Sequence, residues 1–337
     1  MNKSRELQKR SLGGMEVSAL GFGCMNFVWA YGHRMSKEKS VPVIRHAYEQ
    51  GVTLFDTAEI YGTFLSEEYV GEALAPVRDE VKISTKIGFN VDFSTGAING
   101  MNAGRQHLKA ALEGSLRRLK TDYVDMLYLH RIDKNVPVED VAETMGQLIR
   151  EGKVLHWGLS EVGPKTIRRA HAVTPLTAIQ NEMSLWTRLS EPYVLNVCEE
   201  LGLGFVPWSP LGMGYFTGTV GKHSVFGVGD LRAVLPRFRE DAMEANRGLV
   251  DMLKKVAGKY DATPGQIQLA WELKKRPFIV PIPGTTRIDH LDENLGALDI
   301  DLNDDDYAFL DRESAAYKVA GALTAEELGE SLDDMTE

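Results

Sequence analysis

The chain has 337 residues, 43% of them hydrophobic, and a formal net charge of -10 at neutral pH. That apolar content suffices for a large core, and the acidic balance argues against nucleic acid or an anionic membrane as the main partner. Only two cysteines occur, Cys24 and Cys198, too few for a disulfide scaffold, so a reduced, cytoplasmic setting is expected.

The basic N-terminus lacks the apolar stretch of a secretory signal, and no window approaches the roughly 20 apolar residues of a membrane span. Residues 8–16 predict a small hairpin around Gly13-Gly14, plugging a barrel floor ahead of a first strand over 17–22. Helical periodicity over 41–50 leads to a short strand ending at Asp56. A helix over 66–74, a strand over 81–86, a basic amphipathic helix over 104–120 and a strand over 122–130 follow. The alternation continues with a helix at 138–150, a strand at 154–160, a helix at 164–172, a strand at 178–181, a helix at 192–201 and a strand at 204–208. After a long excursion come helices over 241–260 and 264–274, an eighth strand at 278–283 and a last barrel helix at 287–298. The acidic tail beyond Lys318 reads as a flap, a short helix or a disordered end.

Strict alternation predicts a parallel sheet, and eight units predict closure. The expected fold is α/β, a (β/α)₈ TIM barrel with an N-terminal β-hairpin and extra C-terminal helices. No linker or repeat divides the chain, so residues 1–337 are expected to form one domain.

Three strands end on ionisable side chains, Asp56, Lys86 and His130, and Tyr61 follows the first of them by five residues. Parallel strands covered on both faces favour continuous apolar runs, and barrel strand exits converge on one catalytic face. Each residue alone has a bland reading: Asp56 as a cap, Lys86 as a snorkelling side chain, His130 as a core histidine. Together they point to chemistry. A free phenol ionises near about 10, and a neighbouring ammonium is expected to lower that value while a carboxylate holds the ammonium in place. Such a tyrosine is a general acid toward a carbonyl oxygen, and the histidine orients that oxygen. A hydride must come from elsewhere.

The motif DTAEIYG at 56–62 is joined by LGFGCM (20–25), SEEYVGEAL (66–74), WGLSE (157–161), WSPLGMG (208–214), IPGTTR (282–287) and ENLGA (293–297). On these motifs the chain resembles the aldo-keto reductases along nearly its whole length. The resemblance implies reversible NADPH-dependent reduction of an aldehyde or ketone on a barrel without a separate dinucleotide domain, with NADH less favoured. It implies that Asp56, Tyr61, Lys86 and His130 are the catalytic tetrad, that Ser160 and Gln180 hold the nicotinamide carboxamide, and that Trp208 stacks on its ring. Glu161 stands where the family often has Asn.

The glycine-rich stretch after Trp208 offers Ser209, Leu211 and Gly214 to a pyrophosphate through backbone amides, and the segment onward to Phe238 would fold over the cofactor like a strap. Gly284, Thr285, Thr286 and Arg287 sit at a helix entry suited to an anion. Arg287 is the candidate clamp for the 2′-phosphate, and His290 replaces an arginine frequent in the family. Glu293 and Asn294 match adenine-binding positions. Met25, Phe27, Trp29, Phe89 and Trp186 are expected to line an apolar substrate pocket. No metal site is expected, and the remaining histidines show no paired ligand spacing. A small-molecule carbonyl substrate is the expected partner, and oligomeric state stays open. The alternative is a cofactor-binding regulatory or redox-sensing subunit with slow turnover.

Overall fold

A computed structural model describes residues 6–92 and 95–322. Strands β1 (Lys9–Leu12) and β2 (Met15–Ser18) pair antiparallel across Gly13 and Gly14, whose φ values of 59° and 94° suit glycine. Leu12, Met15 and Val17 are buried together with Leu54, Met126, Ala178, Val206 and Val280 of the barrel wall. The hairpin therefore plugs the barrel interior. Arg10 fastens it from outside, donating to the carbonyls of Leu273, Arg276 and Ile279 at 2.7 to 2.9 Å.

The wall begins with β3 (Phe22–Gly23) and continues through β4 (Leu54–Asp56) and β5 (Lys82–Ile87). A small antiparallel pair, β6 (Phe89–Val91) and β7 (Ile98–Met101), projects beyond β5. The wall resumes with β8 (Val124–Leu129), β9 (Val154–Ser160), β10 (Ala178–Gln180) and β11 (Gly204–Phe205). The seven wall strands pair in parallel in chain order.

The eighth position is filled by residues 278–283, which bond to both edges. Phe205 N donates to Phe278 O at 2.9 Å and Val280 N to Phe205 O at 2.9 Å, while Gly21 N reaches Pro281 O at 2.9 Å and Gly23 N reaches Pro283 O at 3.2 Å. Pro281 and Pro283 have no N–H to donate, so the segment closes the barrel without forming a regular strand.

Helices α1 (Lys37–Glu49), α2 (Leu65–Leu74), α3 (Arg105–Leu119), α4 (Val138–Arg150), α5 (Pro164–Val173) and α6 (Ser190–Leu201) follow successive strands. α4 shows why they pack as they do. It buries Val138, Val141, Ala142, Met145 and Leu148, a stripe of helical spacing worth about 1.5 to 3 kcal/mol per fully buried large aliphatic residue. α2 and α3 touch at Gly71, where a Cβ would stand 2.4 Å from Arg118 O.

Two expectations need correction here. Residues 17 and 18 belong to the hairpin rather than to the first wall strand, which is confined to Phe22–Gly23, because Ser18 exchanges hydrogen bonds with Thr53 of 2.7 and 2.9 Å and the chain turns there. The helix expected over 241–260 is two helices, α7 (Glu240–Ala245) and α8 (Arg247–Ala257). The side-chain amide of Asn246, at their junction, bonds to both backbone groups of Ala320 at 2.8 and 2.9 Å. The β6–β7 pair was not anticipated. Helices α9 (Pro264–Lys275), α10 (Ile288–Leu295) and α11 (Asp304–Ala316) complete the chain, and the acidic end from 323 onward lies outside the described residues. Among the described residues no helix is long and apolar enough to cross a membrane.

Candidate active site

Asp56 closes β4, Lys86 lies one residue from the end of β5, and His130 follows β8. The register pairs Asp56 with Ser84 and Lys86 with Tyr128, so these exits share one rim. Beyond Asp56 the chain stays bonded to β5, with Thr57 N donating to Ser84 O at 2.9 Å and Glu59 N to Lys86 O at 3.1 Å. That path returns Tyr61 to the lysine.

The Lys86 ammonium, 1% exposed, donates to a carboxylate oxygen of Asp56, to Thr57 O at 2.9 Å and to Tyr61 Oη at 3.1 Å. Its three N–H groups thus match three acceptors, which is what a buried ammonium requires. The other Asp56 oxygen accepts from Ser84 Oγ at 2.7 Å and Gln180 Nε2 at 2.9 Å. Trp29 stacks on Tyr61 at 5.4 Å, and the His130 ring stands edge-on to Tyr61 at 5.9 Å and to Phe89 at 5.0 Å.

Burial pushes the Tyr61 phenol up from its ordinary value, and the opposing pull of Lys86 does not cancel it. The lowered phenol expected from the lysine is therefore not the net result in this protein. Burial also disfavours the charged form of Lys86, yet Asp56 and Tyr61 together raise its affinity for the proton. His130 is held well below the usual imidazole value by burial, Arg131 and Lys86, which leaves it neutral at neutral pH. Its Nδ1 is sealed from solvent and makes no hydrogen bond among the described residues.

Ser160, at the exit of β9, is buried, and its Oγ accepts from Arg131 Nη1 at 3.1 Å. Trp208 is half-buried and donates its indole N–H to Glu161 Oε1 at 2.6 Å, an oxygen that also accepts from Glu182 N at 2.6 Å. Glu161 holds a φ of 55°, in the left-handed region uncommon for residues with a side chain. Ser209, Leu211 and Gly214 lie on the turn beyond Trp208, where Ser209, Gly212, Met213 and Gly214 all have positive φ. Gly214 N is already used by Leu211 O at 3.0 Å.

Gly284 packs against the first wall strand, where a Cβ would meet Gly23 O at 2.7 Å. Thr285 Oγ accepts from Arg287 N at 3.2 Å, and Thr286 is half-buried beside it. Arg287 and His290 are exposed, and the Arg287 guanidinium grips both oxygens of Asp289, with Nε 2.9 Å from Oδ1. Glu293 accepts from Thr263 Oγ at 2.9 Å, and Asn294 is buried nearby on α10. Thr263 caps α9 in a reciprocal arrangement with Gln266.

Of the expected substrate-pocket residues, Trp29 and Phe89 stand against Tyr61 and His130, and Met25 is half-buried nearby in sequence. Phe27 does not line a pocket: it is fully buried, edge-on to Phe22 at 6.0 Å. Trp186 is likewise core, stacked on Tyr215 at 4.7 Å with the Arg237 guanidinium 4.8 Å over its ring.

The long segment after β11 folds back across the mouth. Leu231 N donates to Ala30 O at 2.9 Å, Asp230 bridges to Tyr31, and Arg232 reaches Met213 O at 3.2 Å. Sequence reading missed Arg131 and the anchoring role of Glu161. Each lies one residue past a strand exit already marked by His130 or Ser160, and that adjacency was the available signal. Among the described residues no group of three or more His, Cys, Asp or Glu side chains is placed to hold a metal ion.

The profile of the Aldo/keto reductase family matches residues 19–314. A Glycine max protein named Probable aldo-keto reductase 1 is 42% identical over 305 residues, covering 89% of this chain and 87% of its own. An aldo-keto reductase from Klebsiella pneumoniae, solved in complex with NADPH, is 27% identical with a TM-score of 0.71, covering 91% of this chain and 96% of its own. A glycerol dehydrogenase from Gluconobacter oxydans, 24% identical, shares the fold at a TM-score of 0.84 over 92% of this chain and 95% of its own.

Proposed function

This chain belongs to the aldo/keto reductase family, and from that membership we propose that it reduces an aldehyde or ketone reversibly to the alcohol, with NADPH as the hydride source and Tyr61 as the proton donor. The observation that carries the reading is the 3.1 Å hydrogen bond from Lys86 Nζ to Tyr61 Oη, with Asp56 on the same ammonium.

The residues present suit a nicotinamide. The half-buried Trp208 ring is fixed at its N–H edge by Glu161, which leaves its flat apolar face to a partner. Ser160 and Gln180 are paired across the exits of β9 and β10, and they would hold the nicotinamide carboxamide, with Gln180 Nε2 kept in place by Asp56. Ser209 and Leu211 would hold the pyrophosphate, the Gly214 amide being turned to Leu211 O, and Gly284 to Arg287 with His290 the 2′-phosphate. Glu293 and Asn294 would face the adenine. The NADPH complex of the Klebsiella pneumoniae relative supports this choice of cofactor.

The bound cofactor supplies a hydride to the carbonyl carbon. Tyr61 Oη holds the carbonyl oxygen and releases its proton to it as negative charge develops there. Because burial keeps the phenol protonated at neutral pH, Tyr61 is ready as an acid, and Lys86 stabilises the phenolate left behind. Asp56 keeps Lys86 in place. Buried N–H groups are rarely left without an acceptor and Nδ1 has none among the described residues, so in this reading His130 carries its proton on Nε2 and donates it to the substrate oxygen. Trp29 and Phe89 shield this oxygen from water. Steady-state NADPH oxidation with a panel of aldehydes and ketones tests the reading; no turnover with any of them refutes it.

A further inference from the structure

Arg131 has no place in the machinery just described. Its Nη1 donates to His130 O at 2.6 Å and to Ser160 Oγ at 3.1 Å, which pins the guanidinium where the exits of β8 and β9 meet. Nε and Nη2 make no hydrogen bond within the described residues, yet they are not sealed from solvent, and the residue is half-buried. An arginine held by one corner of its fork presents the opposite edge to the mouth of the site.

The charges around it leave that edge available. The Lys86 ammonium is saturated by Asp56, Thr57 and Tyr61. Glu182, the nearby acid on the loop after β10, has Arg237 Nη1 at 3.7 Å and accepts from Thr187 Oγ at 3.0 Å. Burial lifts its carboxyl to about 7, with Arg237 and Arg131 pulling the other way. The field of Arg131 also reaches Tyr61 and His130, the two groups placed on the reacting oxygen.

We propose that the open edge of Arg131 receives a carboxylate carried by the substrate close to its reacting carbonyl, so that the protein favours short oxo acids over their neutral counterparts. The inference rests on the carbonyl-reductase reading and names a substrate class for the same site. A planar guanidinium edge matches a carboxylate with two parallel hydrogen bonds, which an ammonium cannot do. Arg131 adjoins the residue that orients the carbonyl oxygen, so only a carboxylate near that carbonyl can reach both.

The test compares phenylglyoxylate with its methyl ester under NADPH, in the wild type, Arg131→Gln and Arg131→Lys, with benzaldehyde as a neutral control. Arg131→Gln should lower kcat/KM for phenylglyoxylate by about a hundredfold, the size of a lost charge-assisted contact, while the ester changes several-fold at most. Arg131→Lys should recover part of the loss. Equal losses on acid and ester would overturn the proposal and make Arg131 a positioning residue for Ser160. So would a wild type that reduces ester and benzaldehyde but not the acid. Failure of the wild type on all three compounds and on the wider aldehyde and ketone panel would instead overturn the underlying reductase reading, and a fluorescence titration with NADPH confirms that each variant is folded.

Discussion

Glu161 Oε1 accepts the indole N–H of Trp208 and the backbone N–H of Glu182, both at 2.6 Å. A buried acid just past the exit of β9 thereby fixes an aromatic ring that arrives from β11. This contact leads to the first prediction. Glu161→Ala leaves the indole and one amide without their acceptor, so NADPH affinity should fall about tenfold, the size of one charge-assisted hydrogen bond. Glu161→Gln keeps an acceptor and should lose less. Titration of the tryptophan fluorescence with NADPH measures both, and unchanged affinity in the alanine variant would remove Glu161 from its anchoring role.

Tyr61→Phe removes the proposed acid while sparing the Lys86 contacts to Asp56 and Thr57. Turnover should drop by about a hundredfold to ten-thousandfold with NADPH affinity nearly intact. Since burial lifts the Tyr61 phenol above its ordinary value, wild-type reduction should persist through neutral pH and decline only above the usual phenol range, near about pH 10. A decline centred near neutrality would assign the proton to another group.

Glu59 supplies a pH-dependent stability term. It is buried beside Glu67, and its Oε1 accepts from Gly88 N at 3.0 Å. Burial, reinforced by Glu67, lifts the carboxyl from an ordinary 4.5 to about 8. Between those values the folded state holds a proton that the unfolded chain has released, so stability falls as pH rises. The slope is about 1.4 kcal/mol per pH unit for a single such group. Glu59→Gln stays neutral and can still accept from Gly88. Its melting temperature should therefore gain on the wild type progressively from about pH 5 to about pH 8. A constant difference across that range would contradict the assignment.

Arg287 is engaged with Asp289 on the protein surface. Under the proposed phosphate role, Asp289→Asn frees the guanidinium and should lower KM for NADPH, whereas Arg287→Gln should raise it several-fold. KM for NADH should change little in either variant, because that cofactor lacks the 2′-phosphate. Parallel changes with both cofactors would place the 2′-phosphate elsewhere.

Much of this architecture was legible before any coordinates. The alternation of apolar strands with amphipathic helices is local information, and so are the ionisable residues at strand exits, because a parallel strand buried on both faces tolerates charge only at its ends. The plug hairpin was legible from its glycine pair. The break at Asn246 was not; its side chain is tied to Ala320, 74 residues away, a contact that no local pattern announces. Nor was the eighth position fully legible: its apolar run reads as a strand, while its prolines limit it to scattered bonds with both neighbours.

Sequence alone determined which residues the chain brings to its strand exits: Asp56, Lys86, His130 and, on the adjoining loop, Tyr61. Tertiary structure alone decided how they are shared out. Gln180 was claimed by Asp56, Arg287 by Asp289 and Trp208 by Glu161. Phe27 and Trp186 went into the core, while Trp29 and Phe89 were left at the site. The net shift of Tyr61 was decided there too, because desolvation depends on everything packed around the phenol and outweighs the single charge beside it. Strand and helix patterns arise from neighbours along the chain, whereas burial and hydrogen-bond partnership arise from segments that meet only when the barrel closes.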